Sequence, residues 1–281
     1  MPSNKLDGRV AFITGTSRGI GRALAVHLAD AGVKVVSTGK TVEPRDDLPG
    51  TIAETTEEIR ERGGDSIWRQ IDVRDEESVE AAIEDTVEEF GGIDFVVNNA
   101  GAIHMAPFEE TPPERFDLLT GVNARGAYAT TYAALPHLKE SDHAHVLSFS
   151  PPVTDPGRPG MAAYAVSKYG MTVTMQSLAG ELDDDGVAAN ALWPVSAVES
   201  EATRHFGMGT EKDWRRPEIV CDAVEAVLRR DPSDCTGNAF YDEEILRAEG
   251  VEDFSRYNVV EDADPGPMSA RLFDPDFERP A

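Results

Sequence analysis

Short apolar runs alternate with longer amphipathic stretches along most of the chain. The first run, residues 9–13, passes through a glycine-rich turn into an amphipathic stretch at 22–31. Consecutive apolar residues are typical of strands buried on both faces of a parallel sheet, whereas apolar residues spaced three or four apart indicate helices. The pattern therefore predicts β–α units from the N-terminal end onward.

Seven strands and six helices follow from this alternation. The strands are predicted at 9–13, 33–38, 67–73, 95–98, 145–150, 187–193 and near residue 239. The helices are predicted at 22–31, 54–61, 76–90, 114–139, 161–182 and 218–229, with an irregular segment up to about residue 216. Strands joined by helical crossovers predict the α/β class, as a Rossmann-type doubly wound parallel seven-stranded sheet with helices on both faces. Ligands of such sheets bind outside the carboxyl ends of the strands.

The composition changes near the C-terminal end. From about residue 243 the chain is enriched in acidic residues and prolines, with isolated aromatics at Phe254, Tyr257, Phe273 and Phe277. We therefore predict one catalytic domain over residues 1–245 and an acidic extension over 246–281. Such an extension is ordinarily solvated and partly ordered, although its aromatics could dock on the domain or on a neighbouring subunit.

The charge balance narrows the choice of partners. Asp and Glu number 52 against 26 Lys and Arg, which gives a net charge of -26. Nucleic acid and anionic membranes are therefore poor partners, and no apolar run is long enough to span a bilayer. An acidic excess with few lysines is also typical of proteins adapted to molar salt, so we predict a halophilic source; the alternative is an ordinary acidic protein.

Cysteine and histidine usage bear on compartment and metal binding. Two cysteines and no apolar signal stretch at the N-terminus favour a reduced cytoplasm. The six histidines lack the spacing of a catalytic metal site, so no metal is expected.

The glycine-rich turn is the first candidate site. It is Thr-Gly-Thr-Ser-Arg-Gly-Ile-Gly, and every residue after the leading threonine is a candidate cofactor contact: Gly15, Thr16, Ser17, Arg18, Gly19, Ile20 and Gly21. Glycines permit a tight turn and close approach of the backbone to a pyrophosphate, and the N–H groups that begin the next helix face the anion. An ordinary strand-to-helix turn is the alternative.

The end of the second strand is where such folds discriminate between NAD and NADP. An acidic residue there binds the ribose hydroxyls, whereas a basic residue favours the 2′-phosphate. This chain has Lys40 at that point, and Arg18 would supply a second cation. We therefore predict NADP, with NAD possible; the alternative is that both are solvated surface charges.

Tyr164 and Lys168 are the candidate catalytic pair. They are four residues apart in a predicted helix and therefore share one face. A phenol is a poor acid at neutral pH, but a neighbouring cation favours the phenolate and lowers the phenol pKa toward the working range. A surface pair would be the default for this spacing alone, but the glycine loop and the asparagines described next strengthen the catalytic interpretation.

Together these motifs resemble the short-chain dehydrogenase/reductase family. They are the glycine loop, Asn98-Asn99-Ala100-Gly101 after the fourth strand, and Tyr164-x-x-x-Lys168. The resemblance implies that Tyr164 donates a proton to a carbonyl and that Lys168 lowers the tyrosine pKa and holds the nicotinamide ribose. It also implies pairing of the two longest helices across a two-fold axis, hence a homodimer or homotetramer.

The resemblance extends to residues with less distinctive motifs. It implies cofactor contacts at Asp72, Val73, Asn99, Ala100, Gly101, Pro194, Ala197 and Val198. Asp72 would accept from the adenine amine, although it could equally cap the helix that follows. Asn123 would kink its helix and hold a water of the proton relay. The family serine that orients the carbonyl is replaced by Pro151, so Ser150 is the candidate substitute.

The sequence thus predicts an NADP-dependent oxidoreductase acting on a small apolar carbonyl or alcohol. A pocket of Met105, Phe108 and Trp193 under a lid containing His205, Phe206, Met208 and Trp214 would hold the substrate, unless these residues are plain core. The rival hypothesis is an NADP(H)-binding sensor or scaffold with little or no turnover, because the serine site is altered.

Overall fold

A computed structural model describes residues 5–45, 48–154 and 158–279. Nine strands occur in this part of the chain. They are β1 (Val10–Thr14), β2 (Lys34–Gly39), β3 (Ser66–Gln70), β4 (Phe95–Asn98), β5 (Ala144–Phe149), β6 (Val187–Trp193), β7 (Ala197–Val198), β8 (Trp214–Arg215) and β9 (Ala239–Tyr241).

Seven of these strands form one parallel sheet in the order β3-β2-β1-β4-β5-β6-β9. The order reverses between β1 and β4, so the crevice beyond their carboxyl ends is the expected ligand site of a doubly wound sheet. The predicted Rossmann-type fold is confirmed. The two-residue strands β7 and β8 pair with each other beside the sheet.

Helices cover both faces of the sheet. They are α1 (Gly19–Asp30), α2 (Ile52–Glu61), α3 (Glu76–Phe90), α4 (Pro113–Thr120), α5 (Gly126–Leu138), α6 (Ala162–Glu181), α7 (Glu201–His205), α8 (Glu218–Leu228), α9 (Asp242–Ala248) and α10 (Met268–Arg271). One core cluster packs α1, α8 and α9 on the sheet, and the other packs α3, α5 and α6 on the opposite face. Alternate β1 residues serve the two clusters: Ala11 and Ile13 point to the first, Val10 and Phe12 to the second.

Most element bounds differ from the predicted ones by one to three residues, and three differences are more informative. The strand predicted at 67–73 ends at Gln70, because Asp72 accepts a hydrogen bond from the backbone N–H of Arg74 and so forms a turn. The helix predicted at 114–139 is interrupted by a π-helical turn, Gly121–Arg125. The segment predicted to be irregular contains β7, α7 and β8.

The C-terminal extension packs on the domain. Phe254, Tyr257, Phe273 and Phe277 are all buried in the same chain, so the docking alternative describes them better than a solvated tail does. The division at residue 245 stays a prediction; it falls inside α9, whose Ile245 and Leu246 belong to the core.

Candidate active site

The glycine loop connects β1 to α1 at the point where the strand order reverses. Gly15 has a φ of 77°, and a Cβ there would lie 2.9 Å from the Cα of Ala100. A Cβ on Gly21 would lie 2.2 Å from the carbonyl oxygen of Gly15. Side chains at these two positions would therefore displace the loop, whose tight path leaves the N-terminus of α1 open toward the crevice.

Asn99 fixes this loop to the end of β4. Its Nδ2 donates to the carbonyl oxygens of Thr14 (2.8 Å) and Gly15 (2.9 Å). In return, Thr14 Oγ1 accepts from the backbone N–H groups of Asn99 (3.1 Å) and Ala100 (3.0 Å). Thr14 is thus a positioning residue that we did not single out from the sequence, although it precedes the first glycine. Thr16 is fully buried, and its hydroxyl donates to the carbonyl of Thr38.

Asn98 lies inside the sheet and not in the crevice. Its Nδ2 donates to Thr131 Oγ1 at 3.0 Å and to Ser148 Oγ at 3.3 Å. The two adjacent asparagines therefore hold different parts of the molecule: Asn98 joins β4 to β5 and α5, whereas Asn99 joins β4 to the loop.

The predicted adenosine end of the site contains an ionic cluster. Lys40 Nζ lies 3.0 Å from Asp72 Oδ2, and Arg74 Nη2 lies 2.6 Å from the same oxygen. Hydrogen bonds from Arg74 and then from Lys40 hold the pKa of the Asp72 carboxyl well below its usual range. Arg74 was missed by the sequence analysis, yet its position two residues after Asp72 is the spacing at which a side chain and a turn N–H can both reach one carboxylate.

Arg18 turns toward the same end of the crevice. Its Nε donates to the carbonyl of Pro49 (2.9 Å), and its Nη2 donates to the carbonyl of Gly50 (3.1 Å). The same Nη2 lies 3.4 Å from Thr41 Oγ1, next to Lys40. The guanidinium is therefore fixed over the end of β2 by main-chain acceptors.

Tyr164 and Lys168 lie in the first two turns of α6, and their side chains are 3% and 4% exposed. Lys168 Nζ donates to the carbonyl of Phe149 at 2.8 Å and lies 5.4 Å from the ring centroid of Trp193. Burial lowers the pKa of Lys168 to about 8. Burial raises the pKa of the Tyr164 phenol above its ordinary value, and the expectation that the lysine lowers this pKa stays a prediction.

This protonation state has a chemical consequence. A phenol with a raised pKa keeps its proton at neutral pH, so the Tyr164 hydroxyl carries a proton that it can donate. No hydrogen bond to its hydroxyl occurs within the described ranges, and the ring lies against the aromatic side chain of Phe273. The orientation of the Tyr164 ring is thus set by packing against neighbouring side chains.

Asn123 occupies the π-helical turn and is fully buried. Its Oδ1 accepts from the backbone N–H of Ala102 (2.7 Å), and its Nδ2 donates to the carbonyl of Ala102 (3.0 Å) and to Ser167 Oγ (2.8 Å). The side chain therefore ties the segment after β4 to α6, beside Tyr164. Its expected role in holding a water stays a prediction.

Ser150 is not brought to the catalytic pair. It is fully buried, and its hydroxyl accepts a hydrogen bond from Thr172 Oγ1 at 2.8 Å. Ser148 is also fully buried and accepts from Asn98. Both hydroxyls therefore serve contacts inside the fold, and neither lies on the wall of the crevice described next.

One cavity of about 1030 Å³ joins these parts. Every predicted site residue lines it except Thr16, Asn123 and Ser150. The lining residues are Gly15, Ser17, Arg18, Gly19, Ile20, Gly21, Lys40, Asp72, Val73, Asn99, Ala100, Gly101, Tyr164, Lys168, Pro194, Ala197 and Val198. The cavity thus runs from the glycine loop past the tyrosine and the lysine.

The far end of the cavity is apolar. Five of the predicted pocket and lid residues line it: Met105, Trp193, His205, Phe206 and Met208. Trp214 is buried beneath the lid, with its Nε1 donating to the carbonyl of Met208, and Phe108 is 83% exposed and takes no part. Met268 and Leu272 from the C-terminal extension also line this end, and the sequence analysis missed both.

Within residues 5–45, 48–154 and 158–279, no group of three or more His, Cys, Asp or Glu side chains could hold a metal ion. In the same ranges, no helix combines the length and the apolar character needed to cross a bilayer.

Comparison with known proteins defines the class. The family model described as short chain dehydrogenase matches residues 9–207. This match agrees with the parallel sheet and with the Tyr164–Lys168 pair. The chain therefore belongs to the short-chain dehydrogenase/reductase family of oxidoreductases. Proteins of this family generally bind NAD or NADP and small substrates, and they often form oligomers.

The chain is also similar to individual proteins. The chain is 43% identical over 260 residues to hydroxysteroid dehydrogenase-like protein 2 of Xenopus tropicalis, and 40% identical over 260 residues to that of Homo sapiens. Each match covers 92% of this chain but 62% of the relative, so the chain spans about three fifths of the relatives' length. The resemblance to the family is confirmed.

Two solved structures are similar over nearly the whole chain. A putative dehydrogenase from Xanthomonas campestris has a TM-score of 0.91 and 38% identity, covering 98% of this chain and 99% of its own. A short chain dehydrogenase from Mycobacterium thermoresistibile has a TM-score of 0.87 and 42% identity, covering 93% and 94%.

Proposed function

We propose that the protein is an NADP-dependent oxidoreductase that moves a hydride between nicotinamide and a carbonyl or alcohol carbon of an apolar substrate. One observation carries the proposal: a single cavity connects the glycine loop, the buried pair Tyr164 and Lys168, and an apolar end. A dinucleotide site, a proton donor and room for a hydrocarbon group are therefore contiguous.

The residues at the loop fit a dinucleotide. Side chains at Gly15 and Gly21 would collide with neighbouring backbone, so the close approach that a pyrophosphate needs is built into the loop. Lys40, Arg74 and Arg18 place positive charge at the end of β2, which supports a 2′-phosphate and hence NADP. When bound, the nicotinamide supplies or accepts the hydride.

The chain's own residues would handle the proton. Tyr164 is buried with its pKa raised, so it holds the proton that a developing alkoxide takes up in the reduction direction. Lys168 donates one N–H to the carbonyl of Phe149 and a weaker one to Met171 Sδ, at 3.8 Å, and it lines the cavity, so its third donor is available to a ribose hydroxyl. The apolar end excludes water from the reacting carbon.

The position of Ser150 favours a second candidate function. The Ser150 hydroxyl is bonded to Thr172 and Ser150 does not line the cavity, so this serine is not placed to orient a carbonyl beside Tyr164. Losing one such donor typically costs about 10²–10³ in rate. The alternative is therefore a sensor or scaffold that binds NADP(H) with little or no turnover.

Incubation with carbonyl compounds separates the two functions. We expect loss of NADPH absorbance with at least one member of a panel of long-chain, steroid and small ketones. Tight binding of NADPH without depletion across the panel would support the sensor instead. If the protein binds neither NADPH nor NADH, both proposed functions are contradicted.

Three further properties belong to this proposal: a homodimer or homotetramer, a cytoplasmic location and adaptation to high salt. The exposed aromatic pair Tyr128 and Tyr132 on α5 and the exposed Val166 and Val173 on α6 support association. The net charge of -26 supports salt adaptation.

A further inference from the structure

We infer that residues 265–279, here called the C-terminal strap, complete the substrate pocket, and that Met268 and Leu272 select substrates by the size of their hydrocarbon part. The inference rests on the proposed function. Both side chains line the cavity that Tyr164 and Lys168 also line; Met268 begins α10, and Leu272 directly follows its last residue.

The strap is seated by an aromatic cluster at the catalytic tyrosine. Phe273 is 2% exposed, and its ring centroid lies 5.8 Å from that of Tyr164, 5.4 Å from that of Tyr169 and 5.3 Å from that of Trp193. Because Leu272 precedes Phe273 directly, seating this ring fixes where Leu272 meets the cavity.

Hydrogen bonds hold the strap along its length. Trp193 Nε1 donates to the carbonyl of Ser269 at 3.0 Å, and the backbone N–H of Ala270 donates to the carbonyl of Val195 at 3.0 Å. Thr154 Oγ1 donates to the carbonyl of Phe273 at 2.9 Å. All three bonds use main-chain atoms of the strap, so they position it whatever side chains it presents to the cavity.

An ion pair secures the end of the strap. Arg279 Nε lies 3.1 Å from Glu243 Oε2, and Arg279 Nη2 donates to Ser196 Oγ at 2.8 Å. Glu243 is 1% exposed, and its other oxygen lies 3.4 Å from Arg215 Nη2. A carboxylate buried this deeply requires cations around it, so releasing Arg279 removes part of its compensation. The pair therefore favours the docked strap.

The chemistry of the wall indicates the ligand class. The strap residues at the cavity are Met268, Ser269 and Leu272, none of which is charged, and the carbonyl of Ser269 is already used by Trp193. Met105 and Trp193 contribute further apolar side chains to the same cavity. The pocket therefore fits a ketone or secondary alcohol whose remainder is an uncharged hydrocarbon chain or ring.

The test places a large side chain on the strap. Leu272→Trp fills the pocket, and Glu278→Trp puts the same indole on an exposed strap position as a matched control. We expect Leu272→Trp to raise KM for long 2-ketones by about tenfold relative to 2-butanone, the effect of excluding roughly two methylene groups. Affinity for NADPH should be unchanged in both variants. Equal KM profiles in Leu272→Trp and wild type would overturn the inference.

A binding readout separates this inference from the proposed function. The neutral fluorescent probe 1-aminoanthracene is titrated into protein saturated with NADP. We expect weaker probe binding in Leu272→Trp and unchanged binding in Glu278→Trp.

If the wild-type protein reduces no ketone, the proposed function fails, and the inference about the strap is then judged from probe binding alone. Equal probe affinity in wild type and Leu272→Trp would reject that inference. If Leu272→Trp melts early, Leu272→Ala replaces it and should extend the range of ketone lengths.

The ion pair is tested by proteolysis. Arg279→Gln should accelerate tryptic cleavage after Arg271, which lies in α10, and should raise KM for long ketones. Glu278→Gln changes a neighbouring exposed charge and should do neither. A cleavage rate in Arg279→Gln equal to that in wild type would show that Arg279 does not hold the strap.

Discussion

Removing the hydroxyl of Tyr164 tests the proposed chemistry most directly. In Tyr164→Phe the ring stays packed on Phe273, and no partner loses a hydrogen bond within the described part of the chain. The free energy of unfolding should therefore change by less than about 1 kcal/mol. NADPH affinity should also persist, because the loop and Lys168 are untouched.

The rate should fall by about 10²–10⁴-fold, which is the usual contribution of a positioned general acid. This corresponds to about 2.7–5.4 kcal/mol of activation free energy. We expect a loss near the upper end, because Tyr164 is 3% exposed and water has little access to take over as donor.

The assay compares initial rates of NADPH oxidation, NADPH affinity by fluorescence titration and melting temperature. Tyr169→Phe is the matched control: it removes a hydroxyl from the same helix, and its ring also packs on Phe273. Tyr169→Phe should keep near wild-type turnover. A loss of less than about tenfold in Tyr164→Phe would refute the assignment of this residue as the general acid.

Four further outcomes are expected. Lys40→Ala should weaken NADPH binding more than NADH binding, by titration at fixed salt; equal effects would show that Lys40 does not contact a 2′-phosphate. Burial raises the pKa of Asp242 from 3.8 to about 7, so the stability that its neutral form contributes is present below pH 3.8 and lost as pH rises through 7. Asp242→Asn should therefore flatten the fall in melting temperature across this window, and parallel curves would contradict the account. Light scattering at high salt should give the mass of a dimer or a tetramer; the mass of a monomer would contradict the proposed assembly. The melting temperature should rise from ~0.01 M to ~1 M potassium chloride, as the screening length falls from about 30 Å to about 3 Å; a constant value would rule out salt adaptation.

Local sequence patterns were sufficient to predict the strands of the sheet and the position of the glycine loop. Apolar runs predict all seven sheet strands. The strands β1, β4, β5 and β6 are buried along their whole length and are therefore rich in apolar residues, whereas the edge strands β3 and β9 are partly exposed. The glycines at 15 and 21 were predicted from their spacing, although the backbone that excludes a side chain at Gly15 is that of the distant residue Ala100. The end of β3 was missed because a side chain, that of Asp72, makes the turn.

Contacts between distant residues could not be predicted in this way. The direction of the Ser150 hydroxyl is decided by Thr172, which lies 22 residues later and in another element. The acidic composition of the C-terminal segment suggested solvation, whereas the partners of Phe273 are rings spread between Tyr164 and Trp193. The pKa of Tyr164 depends on how deeply its ring is buried, and the presence of a lysine four residues later in the sequence does not predict that burial.

The polar side chains at this site rest largely on main-chain atoms. Lys168 bonds to the carbonyl of Phe149, Asn123 to both main-chain groups of Ala102, and Asn99 to two carbonyls of the loop. Main-chain partners survive substitution of the residues that carry them. The reaction machinery and the substrate wall can therefore diverge independently: a library randomised at Met105 and Leu272 would explore new substrates without disturbing the proton donor, and an evolving lineage has the same freedom.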